Sequence, residues 1–170
     1  MSGIYPAKSR VFRPWKNGGG ETAEIAVSPV SAGLETFSWR ISTAWVAADG
    51  PFSGFPGIDR VLTVIEGGPM VLEIDGATHH LDEDSPPFAF PGEAPVMARL
   101  NGPPLLDFNV MCRRPHAATV TKGPLQPGAD LALLLEAAAG LERLDLVDLR
   151  ARPDLIAALS GALAIRVRLR

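Results

Sequence analysis

Alternation of apolar and polar residues is the feature of this 170-residue sequence that most restricts its fold. It is clearest in segments 37–46, 105–113 and 162–170. Successive side chains of a β-strand point to opposite faces of a sheet, so a two-residue period predicts strands. The 17 glycines and 16 prolines are scattered along the chain and predict frequent turns. The sequence therefore predicts an all-β fold, namely a sandwich, a jelly roll or a barrel.

Glycines and helix-forming residues mark the remaining elements. A β-branched run at 61–66 leads into Gly67-Gly68-Pro69, which predicts a hairpin, and Asp75-Gly76 predicts a second turn. Segment 129–140 is rich in Ala and Leu, which favours a helix, although its leucines at every second position also fit a strand. Segment 152–161 predicts a helix, because Pro153 lies near its start and Gly161 closes it.

A Pro/Gly-rich stretch at 121–130 predicts a boundary between two β units. The larger would comprise residues 1–120, and a smaller unit, residues 121–170, would pack on it as part of a single compact chain. The last segment places Arg166, Arg168 and Arg170 on one strand face. We expect these arginines to protect a sheet edge from unwanted pairing.

Composition argues against several classes of function. The formal net charge is −3 and the pI is near 5.6, whereas nucleic-acid-binding domains usually carry a basic surplus. The single cysteine excludes an internal disulfide, which fits a reducing compartment. The sequence has no signal-peptide core and no apolar run near the ~20 residues that cross a bilayer. We expect a cytoplasmic protein that binds neither membranes nor nucleic acid directly.

Common catalytic and metal-binding motifs are missing from the sequence. His79 and His80 are adjacent, so on a strand they would point to opposite faces and could not easily share a metal ion. Cys112 lies on an apolar strand face, where a cysteine behaves as a small hydrophobic residue. The nucleophile-elbow, phosphate-loop and dinucleotide-binding motifs are absent. We therefore expect no metal, no cofactor and no catalytic residues of these kinds.

Polar side chains at strand positions are the remaining candidates for a site. They are Arg40, Ser42, Arg60, Asp107, Asn109 and Arg113. Polar strand faces usually meet solvent, but small barrels also keep cavities lined by a few polar groups. A guanidinium group matches a carboxylate with two parallel hydrogen bonds, so an inward arginine without an acidic neighbour predicts a small carboxylate ligand. The alternative is an internal ion pair with Glu24, Asp59 or Asp107.

Four motifs, in order along the chain, resemble those of the HutD/Ves family. They are P-W-K-N-G-G-G-E-T-A-E-I from residue 14, F-S-W-R-I-S from residue 37, V-A-A-D-G-P-F-S-G-F-P-G-I-D-R from residue 46 and L-D-F-N-V-M-C-R-R from residue 106. The resemblance covers residues 14–114 and fades in the C-terminal third. It implies a cupin-like jelly roll followed by a second, smaller cupin-like unit, a bicupin, in which segment 129–139 is a strand.

The resemblance also implies a bacterial protein associated with histidine utilisation. Such proteins are thought to moderate the pathway by binding an intermediate such as urocanate, formylglutamate or formate. Carried onto this chain, the implied ligand-binding positions are Trp15, Lys16, Asn17, Arg40, Arg60 and Asn109. Ala23 stands where the family commonly has a basic residue, and Trp45 where smaller or polar residues are common. If the position of Ala23 contacts a ligand or a partner in the family, this chain has lost that contact, and Trp45 would reshape a pocket that lies next to it.

Three hypotheses follow from the sequence. The leading one is a metal-independent cupin that binds a small carboxylate and modulates histidine or amino-acid catabolism. The second is a small isomerase or hydrolase with Glu24 or Asp107 as acid or base. The third is a protein-interaction module whose arginines are paired internally. We also expect a homodimer through exposed strand edges, and a glycine turn at 18–20 that places Lys16 and Asn17 at the rim of an arginine-lined cavity.

Overall fold

The computed structural model describes residues 2–170, which form β-strands with very little helix. The strands are β1 (Ile4–Tyr5), β2 (Arg13–Pro14), β3 (Gly20–Ser28), β4 (Trp39–Val46), β5 (Gly50–Pro51), β6 (Ile58–Glu66), β7 (Met70–Ile74), β8 (Ala77–Leu81), β9 (Phe88–Pro91), β10 (Val96–Leu100), β11 (Leu105–Arg113), β12 (Ala118–Pro124), β13 (Leu131–Leu134), β14 (Leu146–Asp148) and β15 (Leu163–Leu169). A 3₁₀ turn spans Ala7–Ser9, and helix α1 spans Leu155–Ala158. The all-β prediction is confirmed.

Contacts divide the chain into two compact units. One is the continuous segment Val11–His116. The other joins Ala117–Arg170 to the N-terminal residues up to Arg10, so it is discontinuous in sequence. The domain division at residue 120 stays a prediction. The contacts place the N-terminal residues up to Arg10 in the same unit as Ala117–Arg170.

Residues 11–116 form two antiparallel sheets with a common apolar core. The strand order is β2-β3-β4-β11-β6-β9 in the six-stranded sheet and β5-β10-β7-β8 in the four-stranded sheet. One core cluster draws side chains from both sheets, among them Val46 and Leu62 of the first and Leu72 and Ala98 of the second. Two sheets over one core are the jelly-roll arrangement that the sequence predicted.

The alternating segments lie at the centre of the six-stranded sheet. Strand β11 pairs with β4 on one side and β6 on the other, and it is buried on both faces from Leu105 to Cys112. The register of β11 with β6 shifts between Leu106 and Asp107, which are opposite Glu66 and Val64. Such a bulge re-aims nearby side chains, and it lies directly beside the polar residues of β11.

The chain passes from one sheet to the other at Gly67–Pro69. Strand β6 pairs with β11 and β9, and β7 pairs with β10 and β8, so the hairpin predicted around these glycines is wrong. Gly67 has φ +82°, and a Cβ there would collide with the carbonyl oxygen of Pro104. This close approach requires glycine. The second turn, Asp75-Gly76, does join β7 to β8 as predicted.

The second unit contains one antiparallel sheet with the order β1-β14-β13-β15-β12. Strand β13 is fully buried, so segment 129–139 contains a strand, as the family resemblance implied. Pairing with β14 and β15 on its two sides overrides the helix propensity of its Ala and Leu residues. The apolar core of the second unit includes Leu134, Val147 and Leu159. That this unit is a second cupin stays a prediction.

The C-terminal strand and the short helix complete this unit. Strand β15 lies between β13 and β12, so the prediction that its arginines protect a sheet edge is wrong. The helix expected at 152–161 is present as the short α1. Across residues 2–170, no helix is both long enough and apolar enough to cross a membrane.

Candidate functional site

The core-facing side of the six-stranded sheet opens into a cavity of about 630 Å³. The register of three strands builds its floor, because Met111 of β11 pairs with Arg40 of β4 and with Arg60 of β6. Paired residues of neighbouring strands point to the same face, so these side chains lie next to one another. Asn109 and Asp107 follow at two-residue steps on the same face of β11. The polar faces of β4 and β11 therefore line a cavity.

All six residues implied by the family motifs line this cavity. They are Trp15, Lys16, Asn17, Arg40, Arg60 and Asn109. The structure thus brings together residues that lie almost 100 positions apart in sequence.

Arg60 is a buried cation in the cavity wall, only 8% exposed. Its Nη2 donates a hydrogen bond to Asn109 Oδ1 at 3.1 Å, while its buried Nε has no hydrogen-bond partner in residues 2–170. Burial lowers the pKa of Arg60 to about 10, partly opposed by the negative charge of Asp107. Arg60 therefore stays charged at neutral pH and keeps one donor unsatisfied. Because an unsatisfied buried donor costs free energy, a ligand that accepts a hydrogen bond from it would stabilise the site.

Three phenylalanines surround the guanidinium group of Arg60. Its central carbon lies 5.0 Å from the ring centre of Phe90, 5.4 Å from that of Phe55 and 5.6 Å from that of Phe52. Aromatic faces attract cations and exclude water, so they hold the guanidinium without neutralising it. Sequence reasoning missed these residues. A usable signal was the aromatic pair in the loop P-F-S-G-F-P-G, where turn residues alone would be expected.

Arg40 differs from Arg60 because it has an acidic partner. Its Nε donates to Glu24 Oε2 at 2.9 Å, and its Nη1 lies 3.9 Å from the sulfur of Met111, a weak acceptor. The ion-pair alternative therefore describes Arg40. It does not describe Arg60, since Asp59 pairs instead with Arg114 at 2.6 Å and Asp107 is linked to Arg60 only through the Asn109 amide.

The third candidate arginine lies outside the cavity. Nε of Arg113 donates to the carbonyl of Phe37 at 2.9 Å, and its Nη2 donates to the carbonyl of Leu34 at 3.2 Å. Its guanidinium carbon also lies 5.2 Å from the ring centre of Phe37. Arg113 therefore fixes local backbone and has no part in the cavity.

Asp107 is the second buried charge of the cavity, at 1% exposure. Its Oδ1 accepts a hydrogen bond from Asn109 Nδ2 at 3.4 Å, so the Asn109 amide bridges Arg60 and Asp107. Burial raises the pKa of Asp107 to about 7, although Arg60 and hydrogen bonds from Asn109 and the Ala44 backbone act in the opposite direction. At neutral pH this carboxyl group can both lose and accept a proton.

The run Gly18–Gly20 closes the turn between β2 and β3. The backbone N–H of Trp15 donates to the carbonyl of Gly20 at 2.8 Å, and that of Gly18 donates to the carbonyl of Trp15 at 3.1 Å. Gly18 has φ +73°. A Cβ at Gly20 would lie closer than 3.0 Å to the carbonyl oxygen of Trp45 and 3.0 Å from the Trp15 ring. The predicted roles of a positive-φ turn and a close strand approach are both confirmed.

This turn positions the residues at the mouth of the cavity. Trp15 Nε1 donates to Thr22 Oγ1 at 2.7 Å, which fixes the indole ring. Asn17 Oδ1 accepts from the backbone N–H of Gly19 at 2.9 Å. Lys16, which lies between Trp15 and Asn17 in the sequence, is exposed. The glycine turn therefore faces the cavity mouth.

Two departures from the family motifs lie outside the cavity. Ala23 is fully buried and follows Thr22 on β3, so its side chain points away from the cavity. Trp45 follows Ala44 on β4 and likewise points to the opposite face. Neither residue lines the cavity, so neither changes its lining, and the effect of Ala23 on contact with a partner stays a prediction. In residues 2–170, no three His, Cys, Asp or Glu side chains cluster in a way that could hold a metal ion.

The comparisons with known proteins identify the family. The HutD family model matches residues 7–142. This chain belongs to the HutD family. Protein Ves from Cronobacter sakazakii (strain ATCC BAA-894) is 46% identical over 112 residues, which cover 65% of this chain and 60% of that protein. In that protein and in the Ves proteins of Escherichia fergusonii and Citrobacter koseri, the match spans 51–60% of the relative's length.

Solved structures agree with this assignment. HutD from Pseudomonas fluorescens SBW25 is 32% identical, with a TM-score of 0.78 over 98% of both chains. The cupin domain of Cnp3 from Schizosaccharomyces pombe has a TM-score of 0.50 at 10% identity, covering 62% of this chain and 70% of that one, and shows the fold alone. The HutD/Ves family and the cupin-like jelly roll implied by the motifs are confirmed.

Proposed function

We propose that this protein binds a small carboxylate in the cavity beside Arg60 and, through that ligand, modulates histidine or other amino-acid catabolism. The main support is the buried guanidinium of Arg60, whose Nε has no partner among the described residues and which no carboxylate meets in an ion pair. A carboxylate oxygen at Nε would satisfy that donor and balance the charge, and charge-assisted hydrogen bonds of this kind are among the strongest in proteins.

The cavity also suits the carbon part of such a ligand. Its volume of about 630 Å³ lies within the range of ordinary small-molecule sites. Trp15, Phe52 and Phe55 contribute apolar walls, and Ser42 and Asn109 contribute directed polar groups. Formate, formylglutamate and urocanate are the candidates. The related HutD of Pseudomonas fluorescens SBW25 was described in a formate condition, so formate is the first ligand to test.

Thermal unfolding with added ligand tests the proposal. A ligand at about 100 times its Kd stabilises the native state by about 2.7 kcal/mol, or about 5–10 °C in Tm for a chain of this length. Arg60→Met keeps the side-chain volume but removes the charge and the donors, and it should abolish the shift. Arg114→Met is the matched control, because Arg114 is partly exposed and paired with Asp59 and Glu93. Equal shifts in Arg60→Met and the wild type, or no shift with any of the three ligands, would reject the proposal.

A second candidate function is supported by Asp107. A carboxyl group inside the cavity with its pKa raised to about 7 suits general acid–base catalysis, so an isomerase or hydrolase remains a candidate. Incubating urocanate or formylglutamate with the protein and following products by NMR tests it. Product that forms with the wild type but not with Asp107→Asn would support an enzyme.

The interaction-module hypothesis expects a sealed, ion-paired interior, and the cavity at Arg60 gives it less support. The homodimer and the cytoplasmic location stay predictions.

A further inference from the structure

We propose that Asp107 couples anion binding to proton uptake, so that the cavity takes one monoanionic carboxylate together with one proton that Asp107 holds. This inference rests on the proposed function and adds the charge of the ligand and the partner proton. In the empty site at mildly alkaline pH, Asp107 is a carboxylate that shares the cavity with Arg60. In the filled site it is a neutral carboxyl group beside the bound anion.

The charges that face the cavity support this inference. Arg40 of β4 is paired with Glu24 of β3, so these two cancel. Arg60 of β6 and Asp107 of β11 also cancel when both are ionised. The buried part of the site then has no net charge to offer an incoming anion. Once Asp107 is neutral, one positive charge remains, and it matches one negative charge on the ligand.

The other charged groups nearby do not change this balance. Lys16 lies at the mouth and is exposed, so solvent screens its charge. On β6, Asp59 and Glu66 are opposite Cys112 and Leu106, which occupy the other face of β11 from Asp107. The strand β9 places Phe90, an uncharged residue, opposite Arg60. Arg60 and Asp107 are therefore the pair that sets the charge of the site.

The Asn109 amide holds this pair apart. It accepts a hydrogen bond from Arg60 Nη2 and donates one to Asp107 Oδ1, so the two charges are linked through an amide and form no direct ion pair. A direct ion pair would hold Asp107 ionised, whereas the bridged arrangement leaves its pKa raised to about 7 by burial. A second carboxylate in the same low-dielectric site raises that pKa further, as in other sites where two carboxyl groups share one proton.

The coupling predicts both the pH dependence and the ligand class. With Asp107 half-protonated near pH 7 in the empty site, the apparent Kd for formate should be about tenfold higher near pH 8 than near pH 6. At the lower pH the proton is already in place. Monoanions such as formate or acetate should bind more tightly than dianions of similar size such as oxalate, because a second negative charge has no partner in the buried site.

Isothermal titration with sodium formate near pH 8, in HEPES and in Tris, measures the proton count directly. The two buffers release protons with different heats, so the difference in observed heat gives the number of protons taken up. We expect about 0.9 proton per formate near pH 8. Asp107→Asn should take up none and should bind formate with one Kd at both pH values. Asp59→Asn is the matched control on the outer face of β6 and should retain the wild-type pH dependence.

The outcomes separate this inference from the proposed function. Formate binding with no proton uptake and an unchanged Kd from near pH 6 to near pH 8 overturns the coupling and leaves carboxylate binding intact. Absence of formate binding even near pH 6 overturns the coupling, and absence of binding by urocanate and formylglutamate as well overturns the proposed function too. Tighter binding of oxalate than of formate also contradicts the coupling. If Asp107→Asn fails to fold, the proton count of the wild type decides the question.

Discussion

Replacing Gly20 with alanine should destabilise the protein by about 2–3 kcal/mol. The added Cβ would lie closer than 3.0 Å to the carbonyl oxygen of Trp45 and 3.0 Å from the Trp15 ring. The first obstacle is backbone within the β3–β4 pairing, where Gly20 is opposite Val46. Overpacking costs roughly 1–3 kcal/mol when side chains can shift, and an obstructing backbone atom places this change at the upper end. The lower entropy of the unfolded chain with alanine offsets only about 0.4–1 kcal/mol.

Two other glycines of the same unit provide graded controls. Gly18 has φ +73° but open space around it, so Gly18→Ala should cost about 1–2 kcal/mol from backbone strain alone. Gly33 has neither a positive φ nor a neighbour within 4 Å of an added Cβ. Gly33→Ala should therefore be neutral or slightly stabilising.

Urea unfolding followed by the fluorescence of the three tryptophans measures the series. From most to least stable, the expected order of the variants is Gly33→Ala, Gly18→Ala and Gly20→Ala. In Gly20→Ala the Tm should be lowered by about 4–12 °C. Gly20→Ala should also weaken formate binding, because Trp15 donates to the Gly20 carbonyl and lines the cavity. A Gly20→Ala protein as stable as Gly33→Ala would refute the close approach of β3 to Trp45.

Three further predictions concern buried groups. The pKa of Asp107 rises from 3.8 to about 7 on folding, so the native state holds its proton between these values. Its contribution to the free energy of unfolding should be complete below about pH 4 and lost as pH rises through about 7; a urea series on Asp107→Asn should lack this loss. Leu133→Ala, in the fully buried β13, should cost about 2–5 kcal/mol in thermal unfolding, and a smaller effect would argue against a tightly packed strand there. Burial raises the pKa of the Cys112 thiol to about 11, so Ellman's reagent should react with it only after unfolding, and fast native labelling would contradict its burial.

Alternation located the central strands because each must bury at least one face. It could not show what the polar residues of β11 face, since a cavity and bulk water produce the same pattern. Both faces of β11 are buried, and the difference between Asp107 in a cavity and an aspartate on the surface comes from the second sheet above it. The family motifs supplied the six cavity residues, which the pattern alone left as isolated positions.

Arg40 and Arg60 show why the chemistry of the site needs the structure. Both are arginines at strand positions, and nothing local distinguishes them. Arg40 is neutralised because Glu24 lies on the neighbouring strand β3, while Arg60 lies between Met111 and Phe90. Long-range strand pairing sets those neighbours. It also sets the change of sheet at Gly67, where the local sequence pattern predicted a hairpin. The strand β13 illustrates the same limit, because its two partners outweigh its own helix propensity.

The discontinuous unit has a consequence for how the protein is made. Residues 11–116 are continuous, so they can fold as soon as they have emerged from the ribosome. The five-stranded sheet cannot, because β1 is synthesised before that segment and β12 to β15 after it. Strand β15 joins β12 to β13, so translation must pass Leu163–Leu169 before the sheet has its full strand order. During synthesis the cavity-bearing unit can therefore be complete while β12 and β13 still await the strand that connects them.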